Sequence, residues 1–296
     1  MIRFRFAIPG IILVGFGAFL LLTQARMPSN ADLAGLTGMA TEGEAVFWAA
    51  GCASCHMAVE AKGADQLVLS GGRAFASPFG TFIAPNISTD ATEGIGGWST
   101  GEFSAAIRCG FSPEGQHYFP ALPYGAYSKM TPKDLVNLKA YMDGLPASAI
   151  PSQPHQVGFP FNIRRTLGIW KLLFSDDAFV IGGDLSPQQD RGRYLAEALA
   201  HCAECHTPRN ALGGLDRSRW LGGAADPSGK GRIPNITPGK LDWSEAEITA
   251  YLTTGFTPDF DVVGGHMAAV VDNMGHLPVA DVQAIAAYLK AVPPVE

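Results

Sequence analysis

Three features of the chain of 296 residues predict a mostly helical fold built as two tandem copies. One half of the sequence repeats the other. Apolar residues recur at helical spacing behind serine and threonine caps. The 35 glycines and 21 prolines gather in the segments between, and no run of alternating polarity marks a strand. The copies are aligned by CASCH (Cys52–His56) with CAECH (Cys202–His206), by Pro85-Asn86-Ile87 with Pro234-Asn235-Ile236, by Trp98 with Trp243, and by Tyr141 with Tyr288. The offsets are 150 residues at the first cysteine, 145 at the tryptophan and 147 at the tyrosine. Two copies of this length are a duplicated domain and not a solenoid.

Composition excludes several classes. A hydrophobic fraction of 47% supports real cores, and nothing resembles a disordered chain. A net charge of −6 carries no nucleic-acid footprint.

The first element, residues 1–26, places Arg3 and Arg5 before an uncharged apolar run from Phe6 to Gln24. That pattern marks an exported chain. The run is long for a signal peptide and near the lower limit of a membrane span. A retained inner-membrane anchor with a periplasmic globular part is therefore expected. Cleavage at Thr23-Gln24-Ala25, releasing a periplasmic protein, is the second choice.

The first domain is expected over residues 40–146. Its opening helix leads into CASCH, Ser99 caps a second helix, and Thr131 with Pro132 starts the closing helix. Residues 147–186 are a connector, proline-rich at first. It then carries a short helix capped by Asn162, with Leu167, Trp170, Leu173 and Phe174 on one face; a connector packed against both domains is the preferred reading, and a membrane-surface helix the alternative. The second domain is expected over 187–296, with Ser244 and Glu247 forming a capping box.

CxxCH carries the chemistry. Two cysteines separated by two residues on a helical turn match the spacing of the two haem vinyl groups. The adjacent histidine reaches the iron from the same side. Cys52, Cys55 and His56, and Cys202, Cys205 and His206, are thus candidate haem-attachment and iron-ligating residues, for two covalent haem c groups. A thioredoxin-like CxxC needs a βαβ setting, which is missing. A zinc site needs further ligands at regular spacing, which His117, His155, His266 and His276 do not provide.

For the sixth iron ligand, Met130 is preferred in copy one, with His117 as the fallback. Met267 is preferred in copy two, as a loop residue after Gly264-Gly265, over Met274. Thioether opposite imidazole raises the potential and closes the iron, which suits electron transfer. The histidine's other nitrogen needs a carbonyl, and the Pro85-Asn86 and Pro234-Asn235 backbones are candidates. Trp98 and Trp243 read as core aromatics, Arg209 as either a partner for a haem propionate or a solvated cation, and Cys109 as a small buried residue.

Taken together, CASCH, PFGTFIAPNIS, GGWSTGEF, HYFPALPYGAYSKMTPKDL, FPFNIRRTLGIWKLLF, HCAECHTPRNALGG and PNITP resemble membrane-associated multihaem class I cytochromes c. That group includes the cytochrome subunits of periplasmic alcohol, gluconate and aldehyde dehydrogenases. The resemblance implies two tandem class I cytochrome c domains and electron transfer from a dehydrogenase partner to a downstream quinone, oxidase or cytochrome. It also implies His56 and His206 as proximal ligands, with Met130 and Met267 as distal ones. Subunits of that kind often carry three haems, where this chain has two motifs, and Leu122 stands where some relatives have methionine. The alternative is a dihaem enzyme of peroxidase or thiosulfate dehydrogenase type, with catalysis at one haem.

Overall fold

The computed structural model describes residues 2–25, 27–227, 229 and 231–296, the side chains of residues 2–11 excepted. After α1 (Ile2–Leu22), the first repeat builds α2 (Ala40–Ala49), α3 (Cys52–His56), β1 (Ala74–Ser77), β2 (Gly80–Ile83), α4 (Thr100–Cys109), α5 (Tyr124–Tyr127) and α6 (Pro132–Met142). The connector supplies β3 (Gln156–Val157) and α7 (Leu167–Phe174). The second repeat builds α8 (Pro187–Tyr194), α9 (Ala203–His206), β4 (Ala224–Ala225), β5 (Arg232–Ile233), α10 (Glu245–Thr254), α11 (His266–Met274) and α12 (Val279–Ala291). The fold is mostly helical, as the caps and periodicity predict.

Local chemistry starts the helices. The Ser99 hydroxyl accepts from the Glu102 N–H and the Glu102 carboxylate reaches back, a capping box that Ser244 and Glu247 repeat at α10. Thr131 accepts from the Asp134 N–H ahead of Pro132 at α6. Asn162 does not cap the connector helix. Its backbone N–H bonds to the Gly158 carbonyl (3.1 Å), and α7 opens at Leu167 behind a 3-10 turn of Arg164–Thr166.

One crossing defines each domain: α2 against α6, and α8 against α12. A Cβ at Gly43 would stand 2.0 Å from the Asn137 carbonyl oxygen, and one at Gly192 would stand 1.8 Å from that of Ala284. Only glycine lets the helix that leads into the cysteine motif approach its partner so closely. Phe47, Leu135 and Leu138 fill the first interior, and Val282, Ile285 and Tyr288 the second. One apolar cluster runs through both domains.

The copies differ at the end of the entering helix. After α8 comes a π turn, Leu195–Leu199, in which the Ala200 N–H bonds to the Leu195 carbonyl (2.7 Å). This is a one-residue insertion relative to α2, and it explains why the repeat offset reaches 150 at the first cysteine. It accompanies an inward Glu197, whose carboxylate accepts from the N–H groups of Val180 (2.7 Å) and Ile181 (3.2 Å) and from the Tyr288 hydroxyl (2.6 Å). The end of the connector is thereby pinned to domain two.

Short strands appear where none was expected. β1 and β2 form an antiparallel hairpin, and β3 from the connector joins β2 antiparallel, with Gly80 opposite Val157; β4 pairs β5 in the second copy. Segments of two to four residues carry no readable alternation, and the pairing of β3 with β2 joins residues more than 70 apart in the chain.

The connector packs against both domains. The Lys171 ammonium donates to the Cys109 and Gly110 carbonyls (2.7 Å each), and the Trp170 indole N–H to the Leu212 carbonyl (2.9 Å).

The membrane anchor expected of residues 1–26 is not borne out here. Among the described residues, no helix is long and apolar enough to cross a membrane. α1 is helical over 21 residues, but side chains are described only from Ile12, about half the length a span needs. Met1 and Arg26, which bound that expected segment, lie outside the described residues.

Candidate functional site

Both CxxCH stretches are built alike. The chain leaves the entering helix through a left-handed residue, Gly51 (φ 66°) in copy one and His201 (φ 42°) in copy two. That conformation costs a non-glycine residue about 1–2 kcal/mol. The break lets a new helical turn start at the first cysteine. Cys52, Cys55 and His56 then stand at i, i+3 and i+4, on one face of that turn, and Cys202, Cys205 and His206 repeat the arrangement.

The histidines are oriented identically. His56 Nδ1 lies 2.8 Å from the Pro85 carbonyl oxygen, and His206 Nδ1 lies 2.8 Å from that of Pro234. A carbonyl can only accept, so Nδ1 carries the proton and Nε2 keeps its lone pair free. Burial holds both imidazoles below the usual histidine range, partly opposed by that same bond. Both are therefore neutral at pH 7, the form that binds a metal.

The recurring PNI segment has a second function that sequence reasoning missed. The Asn86 amide donates to the Ser148 and Ile150 carbonyls (2.8 Å each), and the Asn235 amide to the Val295 carbonyl (2.7 Å). Each asparagine ties the proline loop to the chain beyond the domain's last helix. The Gly71 N–H bonds to the His56 carbonyl, and the Gly223 N–H to that of His206, at 2.7 Å in both copies. Both glycines have positive φ, and the carbonyl of the facing loop leaves no room for a Cβ.

All five cysteines are free. Burial pushes the Cys52 and Cys202 thiols up to about 12 and Cys55 up to about 11. A dithiol redox catalyst needs a thiolate near neutral pH, so these values oppose that reading. Cys109, half-buried, is likewise raised by burial.

The surroundings suit a bound, propionate-bearing ring at the first motif. The buried Trp48 Nε1 and Arg73 Nε have no partner among the described residues. The Arg73 charge acts on Cys55, lowering its pKa against the effect of burial. Arg73 was not singled out from the sequence; its place directly after Gly71-Gly72 was the available signal.

The other sequence candidates divide. Met130 is buried, immediately before the α6 cap, with its N–H on the Tyr127 carbonyl (2.9 Å). Met267 is not in a loop. It lies in the first turn of α11, half-buried against the apolar cluster, while Met274 is fully buried in the last turn. His117 is bonded through Nε2 to the Thr23 carbonyl (2.8 Å), at the end of α1. Arg209 is taken by the Glu204 carboxylate and the Gly213 carbonyl. Trp98 and Trp243 are half-buried, the latter edge-on to Tyr251 at 5.3 Å.

The two motifs meet across the domain boundary. The Asn273 amide of α11 donates to the Ser54 hydroxyl, inside the first motif, at 2.7 Å. His276 stacks on Trp48 at 3.7 Å and 5°. In return, Tyr127 of α5 stands edge-on to His201, just ahead of the second motif, at 5.6 Å. Each domain thus presses the segment before its closing helix onto the other's cysteine turn.

Comparison with known proteins agrees. Residues 40–146 match the Cytochrome c family, and residues 187–289 match Cytochrome C oxidase, cbb3-type, subunit III. The chain is 52% identical over 286 residues to a diheme cytochrome c-type protein of Cereibacter sphaeroides, covering 97% of each. It is 40% identical over 253 residues to the fructose dehydrogenase cytochrome subunit of Gluconobacter japonicus, covering 83% of this chain and 51% of that subunit. It is 32% identical to the gluconate 2-dehydrogenase cytochrome c subunit of Pantoea cypripedii, covering 92% of this chain and 64% of that one. The chain therefore spans nearly the whole of the first relative and about half to two thirds of the other two. Two neutral, carbonyl-oriented imidazoles, each beside its own pair of thiols, belong with these matches, and the chain is a member of the dihaem c-type cytochrome family, an electron-transfer protein with two covalent haem c groups.

Proposed function

We propose that Cys52 and Cys55 hold one haem and Cys202 and Cys205 the other. His56 and His206 supply the proximal nitrogen through Nε2, and Met130 and Met267 supply the distal thioethers. The observation that carries this reading is the paired Nδ1 contact with Pro85 and Pro234, because it fixes both imidazoles in the ligating tautomer. When bound, each haem supplies a one-electron iron couple. The Arg73 guanidinium and the Trp48 indole are available to its polar edge. The Asn273–Ser54 and Tyr127–His201 contacts hold the two attachment turns together, which shortens the path for an electron between domains.

The electron donor in this reading is a dehydrogenase catalytic subunit, as the names of the relatives support, and the acceptor is a quinone, an oxidase or another cytochrome. α1 anchors the protein in the inner membrane with its globular part periplasmic. Its 21-residue length and the exposed Leu13, Val14 and Leu21 support that placement. The test is isolation of the native membrane complex with identification of the co-purifying subunits, joined to redox titration of the bound haems. Two low-spin centres reduced by the dehydrogenase's substrate are expected. A preparation without any catalytic subunit would overturn the partner assignment. A high-spin centre that turns over a small substrate would restore the enzyme reading.

A further inference from the structure

We propose that the outward face of α7 lies in the acyl boundary of a lipid bilayer, next to the point where α1 leaves the globular body. The placement rests on the reading of α1 as a membrane anchor, and it adds a second, surface-lying contact made by the connector.

The polarity of α7 is reversed for a helix facing water. Its cation points inward. The Lys171 ammonium is bonded to the Cys109 and Gly110 carbonyls and stands over the Phe111 ring (3.8 Å) and the Tyr124 ring (4.6 Å). Gly168, three residues earlier on the same face, is buried. The exposed apolar side chains of α7, at i, i+3 and i+4, are Ile169, Leu172 and Leu173; the two leucines are 61% and 62% exposed, and Leu173 also lines the cavity it shares with Tyr124 and Trp220. A water-facing helix carries polar residues at those positions. The loop leading into α7 adds Phe159, 81% exposed.

Continuity with α1 identifies what covers this stripe. Thr23, just past the last turn of α1, is buried against α7. A Cβ on Gly168 would meet Thr23 Cα at 2.7 Å. Arg165 donates to the Thr23 hydroxyl (3.0 Å) and the Leu20 carbonyl (2.6 Å), so the end of α1 is clamped at the first turn of α7. Leu21 and Leu22, flanking that clamp, are exposed. The apolar side chains of α1 and the apolar stripe of α7 therefore begin at one place and need one environment. The α7 cation is turned in onto carbonyls, so the contact is apolar insertion and not attraction to anionic headgroups.

The test uses the full-length holoprotein reconstituted in phosphatidylcholine vesicles containing a phosphatidylcholine with a photoactivatable acyl chain, with mass spectrometry of labelled peptides. Label on both α1 and α7 is expected, unchanged in high salt. Leu172→Glu with Leu173→Glu is expected to cut α7 labelling by about tenfold, the scale set by a buried leucine side chain. α1 labelling and the haem absorption spectrum should stay unchanged. Label on α1 alone would overturn this proposal and leave the anchor standing. Label on α7 alone would keep the proposal and overturn the anchor. Label on neither would remove both. In the native complex, α7 amides protected from exchange yet free of lipid label would show that protein covers the face, again overturning the proposal.

Discussion

Replacing Gly192 by alanine tests whether close helix approach builds the haem domain. Helix propensity alone favours alanine over glycine by about 1 kcal/mol. The added methyl would stand 1.8 Å from the Ala284 carbonyl oxygen and 2.8 Å from Tyr288 Cβ. Neither obstacle is a flexible side-chain end, so α8 and α12 must separate by roughly 1 Å or more. Overpacking of this kind costs about 1–3 kcal/mol, with rigid backbone obstacles at the upper end. The net is a loss of about 2 kcal/mol. For a domain of about 100 residues that lowers Tm by roughly 8–16 °C. Thermal unfolding of the holoprotein, followed in the haem band and by far-ultraviolet dichroism, reads the change. Gly43→Ala should act alike on the other domain. Gly125→Ala, with nothing within 4 Å of its Cβ, should leave both transitions nearly unmoved. A Gly192→Ala protein as stable as its parent would refute the reasoning, because propensity and not packing would then govern the crossing.

Met267→Ala is expected to lower the potential of one haem and leave the other nearly unchanged, and Met130→Ala to do the same at the other site, in a spectroelectrochemical titration. A uniform shift of both would show the ligand map to be wrong. Glu197→Gln replaces a carboxylate that accepts three hydrogen bonds with an amide whose NH2 faces a donor. The cost should be about 1–3 kcal/mol in urea unfolding of the second domain, and no loss would mean the pinned connector end is unimportant. Burial pushes Lys171 down to about 7, below its unfolded value of about 10.4. Between those values the unfolded chain holds more protons, so this group makes stability rise with pH from about 7 to about 10. Lys171→Met should remove that component of the slope; an identical pH profile in the two proteins would count against a buried Lys171.

The duplication, the helix caps and both attachment motifs were legible in the sequence because their chemistry is local. A serine caps an N–H three residues on, and two thiols and an imidazole share a turn through spacing alone. The proline carbonyls were legible through repetition, since PNI recurs at matching distance. The rest needed the folded chain. Met267 reads as a loop residue after two glycines, yet the chain after them closes into α11, whose Asn273 docks on the other domain's motif. Arg209, open between a propionate partner and a solvated cation, is held by Glu204, and His117 by the end of α1, 94 residues away. β3 exists only because the connector returns to β2. Sequence alone determined two haem domains, and with them the chemistry of the protein. The tertiary structure decided how the motifs face each other and which way Lys171 and the leucines of α7 point. The direction a side chain takes depends on surfaces brought together from distant chain, and no local pattern records them.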